Sequence, residues 1–175
     1  MNRKKKFIFM LLLCIGSIYT CGAQSGDSLL AQLSRKWIDS KAYTLKVAEL
    51  MPAEDYDFKP VPEEMSFGEQ LLHLADNIRW LSSYLPGPGQ KEKKSSTHLK
   101  KDSILKIVSD AYDTGLAAHQ RLSSGQLDEK VSFFAGKMTR RQILILMHDH
   151  QTHHVGQLIV YLRLKGIKPP EYIGW

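Results

Sequence analysis

The sequence predicts an all-α fold, a four-helix bundle. Three observations carry the prediction: four stretches with apolar residues at three- and four-residue spacing, breaks between them rich in proline, glycine or charge, and no internal repeat or long low-complexity segment. With 175 residues, of which 43% are hydrophobic, the chain suits one domain with a sizeable core once a leader is set aside.

The leader is read from Arg3-Lys4-Lys5-Lys6, an apolar run from Phe7 to about Tyr19, and the small residues Cys21-Gly22-Ala23. That is the pattern of a secretory signal peptide, residues 1–23, leaving a domain over residues 24–175. The apolar run is short for a bilayer span, so stable membrane insertion after cleavage is not expected. Export to the periplasm or medium is the expectation. A lipoprotein anchored at Cys21 is the alternative, although Tyr19-Thr20 matches lipoprotein processing poorly. Removing the four leader cations leaves 20 basic and 18 acidic residues, a net charge of +2 instead of +6, which gives no electrostatic case for nucleic acid. Cys14 and Cys21 leave with the leader, so neither a disulfide nor a thiolate metal site is expected in the mature domain.

The first helix is expected to start after Asp27, as its cap, and to carry Leu29, Leu30, Leu33, Trp37, Tyr43, Leu45, Val47 and Leu50 up to Pro52. A loop with Pro60 and Pro62 follows. Ser66-Phe67-Gly68-Glu69 is a capping box that opens the second helix, with Phe67, Leu71, Leu74, Ile78 and Leu81 as its stripe and Pro86-Gly87-Pro88-Gly89 as its end. Lys91 to Ser96 reads as solvated loop. The third helix is placed from Asp102 or Ser103 to about Ser123, carrying Ile104, Ile107, Val108, Tyr112, Leu116 and Leu122. Leu127 to Lys137 is ambiguous, since Val131-Ser132-Phe133-Phe134 suits a short strand or a packed loop. The fourth helix opens at Thr139 and runs to about Lys165, ending at Gly166 and Pro169-Pro170. Its inward line reads Ile143, Met147, His150, His154, Gln157 or Leu158, and Tyr161.

Four of the seven histidines fall in His148-Asp149-His150-Gln151-Thr152-His153-His154. Residues four apart share a helix face, so His150 and His154 can aim ring nitrogens at one ion, whereas His148 and His153 point elsewhere. A further ligand must come from another helix. His73 is the best candidate, beside Gln70 and Asn77 on the second helix; His98 lies in the lysine-rich linker, and His119 on the third helix has no comparable setting. On spacing alone, the pair can equally be two polar residues on a hydrogen-bonded face, and His73 a core histidine with one hydrogen bond.

The segment from Asp149 to Arg163, continuing through Gly166 to Pro169-Pro170, resembles the C-terminal signature of DinB-like proteins of the DinB/YfiT superfamily. Phe58-Lys59-Pro60-Val61-Pro62 with Ser66 to His73 adds to the likeness. The resemblance implies an up-down-down-up bundle and a divalent metal held by His73, His150 and His154. One departure is visible, because many members carry arginine where this chain has Val155; any role of that arginine in substrate binding or helix bracing is lost or supplied elsewhere.

Three imidazoles and an open position describe a catalytic site more than a structural one, and they imply a metal-dependent hydrolase acting on a small molecule through activated water. No general base is identifiable: Asp149 points off the ligand face, while Gln157 is placed to orient substrate or water. The other readings are a thiol transferase, which export disfavours, and a bundle that binds metal or ligand without turnover. Zinc or nickel leads the metals, with iron or manganese behind, although imidazole ligands by themselves do not select among them. A homodimer through an exposed apolar helix face is a further expectation.

Overall fold

Four helices and a small hairpin follow one another in the computed structural model, which describes residues 21–87 and 99–174. They are α1 (Cys21–Leu50), α2 (Phe67–Ser82), α3 (Lys101–Arg121), β1 (Lys130–Phe133), β2 (Gly136–Thr139) and α4 (Arg140–Leu164). The leader up to residue 20, the Lys91 to Ser96 run and His98 lie outside the described residues.

Helix α1 differs from expectation at its start. Asp27 lies inside it rather than capping it, and the helix already includes Cys21. Nothing from Cys21 to Gly26 is a proline, so no missing amide or ring clash ends the helix there. Leu50, expected in the core, is 41% exposed; Val47, also expected there, is buried, and Ala48 and Met51 are buried with it. Helix α2 starts as expected, with Ser66 Oγ accepting from the Glu69 amide and Glu69 accepting from the Ser66 amide. All five residues of its expected stripe are buried. It stops at Ser82, before Pro86, and Tyr84 and Leu85 follow in turns closed by backbone bonds to Leu81 and Ser82. Helix α3 starts at Lys101 and ends at Arg121, a residue or two outside the expected start and inside the expected end.

The ambiguous segment is a hairpin. Val131 pairs with Met138 and Phe133 with Gly136, so β1 and β2 run antiparallel over four residues each. Thr139 then caps α4 by accepting from the Gln142 amide. At the far end Gly166 takes φ +74°, and the Ile167 amide reaches back to Leu162 O at 2.9 Å, which closes α4 as glycine caps do.

The helices pack in the ring α1, α3, α2, α4, so each touches two neighbours and faces a third across the core. Residue pairings give the directions. Thr44 meets Tyr112 and Lys101 meets Met51, so α1 and α3 are antiparallel; Gln70 meets His154 and Met65 meets Tyr161, so α2 and α4 are antiparallel as well. Trp37 beside His148 and Ser40 beside Gln151 make α1 and α4 parallel. The result is the up-down-down-up bundle.

Trp37 is the largest core side chain and is 1% exposed. Its indole Nε1 donates to Tyr112 O at 2.9 Å, and the ring lies so close to α3 that a Cβ on Gly115 would stand 2.5 Å from Trp37 Cζ2. Glycine is required there for space. Gly115→Ala should therefore lower unfolding stability by roughly 1–3 kcal/mol, read as a lower urea midpoint with a changed near-ultraviolet circular dichroism of the Trp37 environment.

Candidate metal centre

Antiparallel packing of α2 on α4 brings His73, His150 and His154 together. One ring nitrogen of each lies within 4.8 Å of those of the other two. Ring centroids are 4.4 Å apart for His150 and His154, 4.7 Å for His73 and His154, and 5.1 Å for His73 and His150. The pair on α4 comes from four-residue spacing; His73 comes from the neighbouring helix. His73 is exposed, His150 half-buried and His154 buried, so the cluster opens to solvent on the α2 side.

The donor set fits a divalent ion. Burial, followed by the nearby His73 and His153, pushes His150 down to about 4. Burial, followed by His150, His73 and His153, likewise pushes His154 down to about 4. Both imidazoles are then neutral near pH 7 and offer a lone pair. His150 Nδ1 is buried without a hydrogen-bond partner among the described residues, which is how a nitrogen awaiting a ligand looks. Ligands about 2.1 Å from a tetrahedral ion stand roughly 3.4 Å from one another, so closing the cluster takes side-chain rotation of about 1 Å.

Gln70 orients the buried member. His154 Nδ1 donates to Gln70 Oε1 at 2.6 Å, which leaves Nε2 for an ion, and Tyr161, whose hydroxyl donates to Met65 O at 2.8 Å, stands 3.5 Å from Gln70 Nε2. Gln70 is 1% exposed. The sequence marked it only as a neighbour of His73; its position one helical turn before that residue was the available signal.

Two histidines set aside by spacing turn out to be buried together. His119 is 1% and His148 4% exposed, with Nε2 atoms 3.1 Å apart. His119 Nδ1 donates to Gly115 O at 2.7 Å, so its Nε2 accepts from His148 Nε2, and Trp37 packs against both rings. His148 does point away from the triad, yet it points into the core. The second line of α4, Leu144, His148, Gln151, Val155 and Leu162, is buried as fully as the first, because α4 touches both α1 and α2. His153 is exposed and leans edge-on against His154 at 5.0 Å. Asp149 is exposed, in keeping with its expected direction off the ligand face. Gln157 is half-buried, and its Oε1 has no partner among the described residues.

A four-helix bundle that gathers three histidines from two antiparallel helices is the class of protein these features define. Residues 24–173 match the DinB family, and the chain belongs to it. The protein YjoA of Bacillus subtilis (strain 168) is 25% identical over 139 residues, covering 77% of this chain and 90% of that protein. The crystal structure of that DinB-like protein superposes with TM-score 0.67 at 22% identity, over 82% of this chain and 97% of the other. A DinB-like protein from Bacillus cereus ATCC 10987 superposes with TM-score 0.69 at 19% identity, over 80% and 95% respectively. These likenesses show the fold.

Two outcomes follow. Gln70→Leu keeps the volume but removes the acceptor for His154 Nδ1, and should weaken zinc binding about 10- to 100-fold in competition with a chromophoric chelator; unchanged affinity would remove Gln70 from the site. The buried pair makes stability depend on pH. Burial and then His119 depress His148 to about 3, while burial depresses His119 to about 4, partly offset by its bond to Gly115, against an ordinary value of 6.5. Between these values and 6.5 the unfolded chain binds more protons, so stability is full above about pH 6.5 and is lost as pH falls toward 4. Urea midpoints measured in chelator should fall over that window, and fall less steeply in a His119→Gln/His148→Leu variant.

Proposed function

We propose that the protein is an exported, metal-dependent hydrolase of a small molecule, with His73, His150 and His154 as ligands to one divalent ion. The observation that carries this reading is the three-histidine cluster, open to solvent on one side and backed by Gln70 on the other. Three neutral ligands leave the ion its full charge, and a bound ion of this kind supplies Lewis acidity and brings a water's pKa toward neutrality. Zinc or nickel suits the donor set first, iron or manganese next.

The chain's own residues supply the rest. Gln70 holds His154 in one tautomer and orientation, so the buried ligand is preorganised. Gln157, one turn beyond His154, stands close enough to that ring to favour its protonated form, and its Oε1, which makes no hydrogen bond of full geometry among the described residues, can accept one from substrate or water. Asp76, one turn from His73 on α2, is ion-paired with Arg79 at 3.4 Å. Export rests on the leader pattern of the sequence.

The test is elemental analysis of the purified protein, prepared without added metal or an affinity tag, beside His150→Ala/His154→Ala. About one transition-metal ion per chain, lost in the double variant, is the expected result, followed by ester, amide and lactone hydrolysis assays with that metal. No metal in either protein and no zinc or nickel uptake on titration would overturn the reading, and a loaded protein inactive in every assay would leave a binding bundle.

A further inference from the structure

The open side of the histidine cluster continues into an aromatic surface. On α2, Asn77 stands four residues after His73 and Trp80 seven, which places them about 40° and 20° off the His73 line and puts Trp80 about 10 Å further along the helix. On α4, Leu146 stands four residues before His150, on the same face and one turn away. Because α2 and α4 are antiparallel, forward from His73 and backward from His150 are one direction, and both lead to the hairpin that precedes α4.

That hairpin supplies the far end. Phe133 pairs with Gly136, so Phe134 and Ala135 form its turn, with Gly136 at φ +114°. The Phe133 and Phe134 rings lie 5.2 and 5.9 Å from the Trp80 ring, tilted by 31° and 32°. Phe133 is buried, and Tyr84 closes edge-on against it at 5.3 Å. Phe134, by contrast, is 81% exposed, the most of any large apolar side chain among the described residues. A ligand that covers this ring removes apolar surface from water, which favours binding.

Between its two ends the strip carries no charge. Asn77, Trp80 and Leu146 are each half-buried and uncharged, and Asp76 beside them is ion-paired with Arg79. A charged group lying along the strip would lose hydration without meeting its opposite. A flat ring, in turn, packs on Trp80 and Phe134 in the offset or edge-on arrangements that aromatic pairs favour.

We propose that the substrate is a neutral ester or amide whose acyl group ends in an aromatic ring, its carbonyl at the histidine cluster, its chain along Asn77 and Leu146, and its ring on Trp80 and Phe134. Water adds across the carbonyl–oxygen or carbonyl–nitrogen bond, and an aryl-terminated carboxylic acid and an alcohol or amine leave. This assignment rests on His73, His150 and His154 being metal ligands, and adds to that reading the charge, reach and terminal group of the substrate.

Calorimetric titration of the zinc-loaded full chain with two hydroxamates tests it, since a hydroxamate chelates the ion and only one of the two carries a ring. The pair is acetohydroxamate and 6-phenylhexanohydroxamate, whose chain matches the separation of His73 from Trp80. The phenyl compound should bind about tenfold tighter or more, and in ¹⁵N spectra should shift the Trp80 indole and the amides of residues 133–136, which acetohydroxamate leaves in place. Phe134→Ala, at an exposed turn where folding does not depend on the ring, should weaken the phenyl compound about 3- to 10-fold and leave acetohydroxamate unchanged; Trp80→Ala should remove most of the gain. Equal affinities for the two hydroxamates, or an equal response of both to Phe134→Ala, overturn the proposal and leave the metal centre standing. Failure of the chain to retain zinc or to bind acetohydroxamate overturns the metal centre and the proposal with it.

Discussion

The antiparallel contact of α2 with α4 is the constraint from which the rest of the site descends. Along it, polar groups that would be costly if buried alone meet one another: Gln70 with His154, and Tyr161 with the carbonyl of Met65. Each bond fixes the axial register of the two helices, and that register decides which residue of α2 stands opposite His150 and His154. A slip of one turn, about 5.4 Å, would carry His73 past His150 and His154 and dismantle the triad while leaving the apolar stripe nearly as well buried. Hydrophobic burial holds the helices together; the hydrogen bonds set where along one another they stop.

The opposite half of the bundle obeys the same rule with different residues. Gly115 lets Trp37 lie against α3, Trp37 donates to Tyr112 O, and the Tyr112 hydroxyl joins Thr44 to Gln151. His119 and His148 complete this layer as a neutral, mutually hydrogen-bonded pair. Helix α4 thus carries two polar lines, one toward α2 with its nitrogens available and one toward α1 with its nitrogens largely consumed. The difference is the partner. Gly115 O and the facing imidazole occupy three of the four ring nitrogens on the α1 side, whereas two ligands and an exposed third imidazole crowd together on the α2 side. Availability to solvent makes one cluster a candidate for chemistry and the other a piece of the core.

Much of this was legible along the chain. The capping boxes at Ser66 and Thr139 and the glycine stop at Gly166 depend on residues within a turn of one another, so local pattern sufficed. His150 and His154 were legible for the same reason, since four-residue spacing on a helix is a geometric statement. Asp27 misled because the helix already runs through Cys21 to Gly26, the two glycines included, and reaches Asp27 as an interior residue. Leu50 misled because it lies on the outward side of a last turn whose Val47 and Ala48, with Met51 after them, are buried. Val131 to Phe134 stayed open because four residues are too few for periodicity to separate strand from loop until β2 is there to pair with them.

By itself, then, the sequence determined the four helices, the caps of α2 and α4, the direction in which His150 and His154 point and, through resemblance, the partner expected of them. The tertiary structure alone decided that His119 and His148 meet, that Gln70 holds His154, and that Phe134 lies against Trp80. The physical reason is separation along the chain: these contacts join residues 29, 84 and 54 positions apart, and periodicity carries no information about which turn of one helix lies against which turn of another. That is set by steric fit, as at Gly115 and Trp37, and by the need of every buried polar group for a partner.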